Sequence, residues 1–213
     1  MPILLYCISR WPALVGEAIV GVSGRPVAPR QSGELAAFIS RAPEAGAWLQ
    51  KPLRTAAVEF HRVCNGVFTE MAIIPFRFPT IFETEEDLEQ HLNQHADEYH
   101  AVLAKFRDAI QMEIHIAATN SDADSKSGTN YLKMRQESTR IVDRFSDEVR
   151  ETLAPVITGW RQRRARDGIR VFALLERNSR AKFETAMRAS SVPGGITVRV
   201  TGPWPVSEFL EQR

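Results

Sequence analysis

The sequence predicts an α+β protein: an antiparallel sheet with helices on one face, followed by a helix-rich α+β half. Three observations lead there. Short apolar runs and alternating stretches sit at both ends of the chain, and stretches with apolar residues every three or four positions lie between them. The 213 residues are 44% apolar and 25% charged, an ordinary balance for a folded protein and long enough for two small domains. Residues 120–128, NSDADSKSG, carry nothing apolar larger than alanine, so this stretch is expected to be solvated and to divide a first domain, 1–119, from a second, 120–213.

The formal net charge of +1 gives no global attraction to nucleic acid or an anionic membrane. Cys7 and Cys64 are the two cysteines, without CxxC or metal-ligand spacing, which points to a reducing compartment rather than a disulfide scaffold. The apolar N-terminus lacks a basic leader and is interrupted by Arg10, Pro12 and Glu17, so it reads as neither signal peptide nor membrane span. A cytoplasmic protein is expected.

Residues 3–9 form a short apolar run ended by Trp11-Pro12, the pattern of a buried strand. Residues 16–24 read as a loop with a short helical turn. Residues 26–31 and 35–41 flank Ser32-Gly33 as a hairpin. A connector, 43–52, carries Trp48 as a docking residue. From 53 to 69, Leu53, Ala57, Phe60, Cys64 and Val67 or Phe68 recur at helical spacing, with His61 beside that stripe as a surface or core-edge histidine.

Residues 72–82, AIIPFRFPTIF, are the most apolar run outside the N-terminus. As a strand, this run would point Ile74, Phe76 and Phe78 inward, with Ile73, Pro75 and Arg77 on the other side. Pro75 cannot donate to a ladder and implies an edge or an irregularity, and Pro79 ends the strand. Thr84 followed by Glu85, Glu86 and Asp87 is a helix start, and Leu88, Leu92, Ala96, Tyr99, Leu103 and Phe106 continue one helix. Residues 112–118 alternate as a half-buried strand. Tyr131, Met134, Ile141, Phe145, Val149, Leu153 and Val156 stripe a long helix, on which Arg140 with Asp143 and Arg144 with Glu148 are spaced to pair. Residues 169–175 and 196–201 are strands around a helix capped by Asn178, with Phe183 and Met187 facing inward.

Catalytic signatures are missing. His91 and His95 are four apart on one helix, but HLNQH lacks the glutamate a zinc protease needs, so solvated helix residues are favoured over a metal site. There is no GxSxG, phosphate-binding loop or dinucleotide fingerprint. Residues 160–166, WRQRRAR, are the one dense basic run. They could contact phosphates, but a charged helix end is the favoured reading. No cofactor, metal, small-molecule substrate, nucleic acid or membrane partner is expected.

Residues 73–82, IIPFRFPTIF, together with the chain's end resemble the gas vesicle protein GvpF/GvpL family. The family's strand runs close to V-L-P-L-R-F-G-T-V-F, and Arg77, Phe78 and Thr80 match it, with Pro79 in place of glycine. Glu113 matches the first position of a downstream E-W-x-V-K. Gly128, Tyr131 and Leu132 keep parts of G-R-A-Y-L, and Thr201, Gly202, Pro203, Trp204 and Pro205 match the start of a terminal T-G-P-W-P-P-Y-x-F, with Val206-Ser207 in place of its Pro-Tyr pair before Phe209. The matches fall in the family's order, and His61 sits where the family tends to carry a histidine. The resemblance implies a ferredoxin-like N-terminal domain, a C-terminal α+β domain, and a non-enzymatic accessory protein of gas vesicles that contacts the shell protein. The alternatives are an uncharacterised metal-dependent enzyme and a nucleic-acid binder. Arg77 and Glu113 are expected on one face of the N-terminal sheet.

Overall fold

The computed structural model describes residues 1–13, 18–42, 44, 52–119 and 128–210, with side chains in the last stretch from 136 onward. The fold is α+β with two antiparallel sheets. It divides into two compact units, Met1–Asp108 with Trp204–Arg213, and Ala109–Pro203. The expected junction at residues 120–127 and the connector carrying Trp48 lie outside the described residues.

The first unit is built around β1 (Ile3–Arg10), buried along all but its last residue. β2 (Ala28–Ser32) and β3 (Leu35–Arg41) form the expected hairpin. Gly33 turns it at φ +56°, a conformation that costs glycine little. The sheet order is β2-β3-β1-β4, where β4 is Ile74–Pro75, and β5 (Ile81–Phe82) pairs with β1 further along.

Helices cover both faces of this sheet, not one. Ile3, Leu5 and Ile8 pack with Leu35, Ala37 and Ile39 against Leu88 and Leu92 of α2 (Glu85–Gln94) and Tyr99 and Leu103 of α3 (Ala96–Lys105). On the opposite face Tyr6 stacks on Phe60 of α1 (Leu53–Glu70) at 4.9 Å, and the Cys64 thiol donates to the Tyr6 carbonyl. The cause is visible in β1, which is apolar at every position from Ile3 to Ile8 and therefore needs cover on both sides.

α1 begins and ends within a residue of the expected range, and its buried stripe is Ala56, Phe60, Val63, Cys64, Val67 and Phe68. Leu53 stays 61% exposed at the helix start. Thr84 caps α2 through a capping box: its hydroxyl accepts from the Asp87 amide, and the Asp87 carboxylate accepts from the Thr84 amide. The single helix expected from 84 to 106 is two, because the backbone at His95 leaves helical geometry (φ −111°, ψ 11°).

The second unit holds β6 (Ala109–Ala118), α4 (Gly128–Leu153), β7 (Gly159–Arg164), β8 (Gly168–Glu176), α5 (Arg180–Ala189) and β9 (Ile196–Trp204), in the sheet order β7-β8-β6-β9. Val142, Phe145, Val149 and Leu153 of α4 and Phe183 of α5 are buried with Ile110, Met112, Ile114 and Ile116 of β6 and Val171, Ala173 and Leu175 of β8. β6 therefore joins the second sheet, paired with β8 along its length, instead of closing the first domain.

Three local expectations change. The basic run 160–166 is mostly strand β7, not a helix end, since α4 stops at Leu153 two residues before Pro155. Asp143 pairs with Arg164 on β7 at 2.6 Å, and Arg140 reaches Glu137 at 3.8 Å. Asn178 lies in a short 3₁₀ turn, and Ser179 takes the N-cap position of α5 without a side-chain cap bond.

Candidate functional site

The segment that opened the family resemblance runs beside β1 and leaves it in the middle. Ile74 and Pro75 register with Ile8 and Cys7, and the Phe76 amide donates to the Tyr6 carbonyl at 2.9 Å. Pairing resumes where the Leu5 amide donates to the Thr80 carbonyl at 2.9 Å, and Ile81 and Phe82 register with Leu4 and Ile3. Residues 77–79 bow outward between these points, opposite the register shift of β1 between Leu5 and Cys7. Pro75 at the sheet edge follows the expectation drawn from its missing donor.

This bow separates two side chains that alternation placed together. Phe76 turns to the α2–α3 face, 6.2 Å from the rings of His91 and Tyr99. Phe78 turns to α1 and lies 5.3 Å from Phe60. Arg77 is exposed at the tip, and the Thr80 hydroxyl donates to its carbonyl at 2.7 Å, closing the bow.

Glu113 is on β6 of the second sheet, 3.7 Å from Arg170 on β8. Arg77 and Glu113 therefore belong to different sheets, and the expected shared face does not exist. Sequence order had placed β6 with the first sheet, whereas its hydrogen bonds go to β8. Tyr131 lies in α4 with its side chain outside the described residues. Gly202 adopts φ +123°, and a Cβ there would meet the Met112 sulfur at 2.9 Å and the Gln111 carbonyl oxygen at 3.0 Å. Glycine is thus required for β9 to approach β6. Pro203 follows within β9, and Trp204, half-buried, ends that strand where the chain rejoins the first unit.

His91 is more than a solvated helix residue. Its ring lies 5.2 Å from Phe82 and 4.8 Å from His95, and its Nε2 is hydrogen-bonded to the Tyr99 hydroxyl at 2.7 Å. The sequence signal was present in the four- and eight-residue spacings of His91, His95 and Tyr99, but spacing alone does not reveal a ring cluster. His61 is exposed, as expected of a surface position. Among the described residues no group of three or more histidine, cysteine or acidic side chains is placed to hold a metal ion, and no helix is long and apolar enough to cross a membrane.

Sequence reading also missed a basic sheet face. Arg161 and Arg163 on β7 share a face with Phe172 and Arg170 on β8 and with Glu113 and His115 on β6. The Arg163 guanidinium sits 5.9 Å from the Phe172 ring centroid. His115 Nε2 contacts Asp167 at 3.2 Å. The alternation Trp160, Gln162, Arg164 against Arg161, Arg163 was readable, though four arginines obscured its strand character.

Three ionisable groups are displaced from their ordinary ranges. Hydrogen bonding to Arg41, then the charge of that guanidinium, holds the Glu85 carboxyl below its usual range, with contacts at 2.7 and 3.0 Å. Burial pushes Tyr6 up, against lowering by its hydrogen bonds to Ser40 and Val22. Burial, reinforced by neighbouring Cys64, pushes the Cys7 thiol well up, which keeps it protonated and a poor nucleophile at neutral pH.

Two antiparallel sheets, each covered by helices, with the 73–82 bow on one and the glycine-dependent end of the other, define a two-unit α+β protein. The chain belongs to the gas vesicle synthesis protein GvpL/GvpF family, whose model matches residues 2–211. Its fold is similar to the crystal structure of the gas vesicle protein GvpF from an Anabaena species, at TM-score 0.83 and 11% identity over 100% of this chain and 97% of that one. It is also similar to GvpF from Microcystis aeruginosa, at TM-score 0.73 and 15% identity over 93% and 94% of the two chains. At such identities the likeness speaks for the fold alone. No curated protein matches the sequence.

Proposed function

We propose that this chain is a non-enzymatic accessory protein of gas vesicle assembly, acting in the cytoplasm and at the vesicle through contacts with the shell protein and other vesicle accessory proteins. The observation that carries this reading is the family match over residues 2–211. The bow at 77–79 supplies a surface for such contacts: Arg77 is exposed at its tip, Phe78 anchors it on Phe60, and Thr80 closes it. Glu113, Gly202, Pro203 and Trp204 support the second sheet and its return to the first unit, and Tyr131 remains a contact candidate on α4.

The test is co-purification of the tagged chain with co-expressed vesicle shell protein, together with deletion of its gene in a vesicle-forming cell. Recovery of the shell protein, reduced several-fold by Arg77→Glu, supports the reading. Normal vesicles after deletion, with no vesicle component recovered, would sink it.

A further inference from the structure

We propose that Cys7 and Cys64 are an oxidation site, at which hydrogen peroxide converts the two thiols to a reversible disulfide that fastens α1 to β1. The inference concerns the interior of the first unit and does not rest on the vesicle reading.

The first observation is that an irregularity in β1 brings the thiols together. Leu5 and Ile8 pack toward α2 and α3, while Tyr6 packs on α1. Strict alternation after Tyr6 would turn Cys7 away from α1 and Ile8 toward it. The register of β1 shifts between Leu5 and Cys7, so two successive residues, Tyr6 and Cys7, fall on the α1 side. Cys64 meets them there. Its sulfur lies 3.4 Å from the Tyr6 carbonyl oxygen, in the peptide that leads into Cys7. The two thiols are hydrogen-bond neighbours, and they are the chain's only cysteines.

The second observation is their unequal placement. Both are free and buried, at 0% and 2% exposure. Cys7 is held in a strand with β3 on one side and β4 on the other. Cys64 is on a covering helix whose outer positions His61, Arg62 and Gly66 meet solvent. Lifting of α1 therefore bares Cys64 first. Its thiolate attacks one peroxide oxygen, the O–O bond breaks, and the other oxygen leaves as hydroxide and takes up a proton to become water. Cys64 is then a sulfenic acid. As α1 closes, the Cys7 sulfur attacks the Cys64 sulfur. The S–S bond forms, the S–O bond breaks, and the hydroxyl leaves with the Cys7 proton as water. Two thiols and one hydrogen peroxide thus give one disulfide and two waters, with two electrons passing from sulfur to oxygen. Burial keeps Cys7 protonated, which suits this second step and not the first.

Space-filling alone does not account for the arrangement. Alanine or valine would fill either place, whereas facing thiols can be joined, and they join the layers beneath the bow. Phe60, one turn before Cys64 on the same stripe of α1, packs on both Tyr6 and Phe78. The disulfide pins the helix on which Phe78 rests. In a reducing compartment such a bond is transient, which is the use made of disulfides in redox sensing.

The full chain is treated with excess hydrogen peroxide under native conditions. The readouts are thiol titration, intact mass and a non-reducing digest. The proposal expects the titre to fall from two thiols per chain to none, with a mass loss of two hydrogens. It expects a peptide containing Cys7 linked to one containing Cys64, reversal by dithiothreitol, and severalfold slower amide exchange in α1 of the oxidised chain. Cys7→Ala should halt at a sulfenic acid on Cys64 that dimedone traps, and Cys64→Ala should slow oxidation of Cys7 at least tenfold. Should neither variant fold, the linked peptide from the unaltered chain decides the matter. Thiols that stay free under native conditions and react only in urea overturn the proposal. So does addition of oxygen to either sulfur without linkage, or a disulfide formed only between two chains.

Discussion

Removing one oxygen from Tyr6 should cost the first unit far more than its size suggests. The hydroxyl is fully buried and stands in a relay: the Val22 amide donates to it at 2.9 Å, it donates to the Ser40 hydroxyl at 3.2 Å, and Ser40 donates to the Pro26 carbonyl at 2.8 Å. The relay ties the loop around Val22 to β1 and β3. Tyr6→Phe keeps the ring on Phe60 but orphans the buried Val22 amide, and the desolvation of one such group costs about 1–3 kcal/mol. In urea this shifts the unfolding midpoint down by about 1 M. The Tyr6→Phe/Ser40→Ala double variant should lose less than the sum of the two single losses, because both act on one relay. The pH dependence has a definite sign. A tyrosine held above its ordinary value of 10.0 contributes stability below pH 10 that is lost as pH rises through the folded value, so the phenylalanine variant should show a shallower alkaline loss. A loss under about 0.5 kcal/mol, or strict additivity with Ser40→Ala, would refute the relay.

Gly202→Ala should destabilise the second unit by about 1–3 kcal/mol, from strain at positive φ and the close approach of Met112; thermal melts monitored by fluorescence would measure it, and a neutral result would contradict the geometry of β9. Phe183→Ala removes a fully buried ring and should cost about 3–5 kcal/mol by denaturant titration, with any smaller loss implying collapse of α5 onto the sheet. Arg41→Ala should return the Glu85 carboxyl upward toward its ordinary 4.5 in an NMR titration. With a depressed carboxylate the stabilising effect is present above that ordinary value and is lost as pH falls through the folded one, so this variant should also flatten the acid limb of the stability curve.

What could be read beforehand was local. The Ser32-Gly33 turn, the helix start at Thr84 and the apolar stripe of α1 each depend on neighbours within a few residues, and each is found in place. The pairing of β6 was not legible, because it follows α3 closely in sequence while its partner β8 arrives only after α4 and β7. The same limit hid the divergence of Phe76 and Phe78. Strand alternation puts both on one side, but the chain bows away from β1 between them, and each ring enters a different layer. Arg77 is the one charge within the apolar run 72–82, but its place at the tip of a bow depends on the register shift in β1. β7 was lost to its composition: exposed arginines mask a period of two that pairing with β8 makes plain.

The chain leaves the first unit at Asp108 and re-enters it at Trp204, so residues 109–203 are spliced into a domain that resumes after them. Leu210 packs on the cluster formed by Ile3, Leu5 and Leu88, more than a hundred residues upstream of it. On the ribosome, the sheet and helices of the first unit emerge early, yet the residues that complete their core emerge after the entire second unit. The unit synthesised first is therefore finished last, and the second unit, once unfolded, is a loop pinned at both ends instead of a free tail, with correspondingly less freedom to lose on folding.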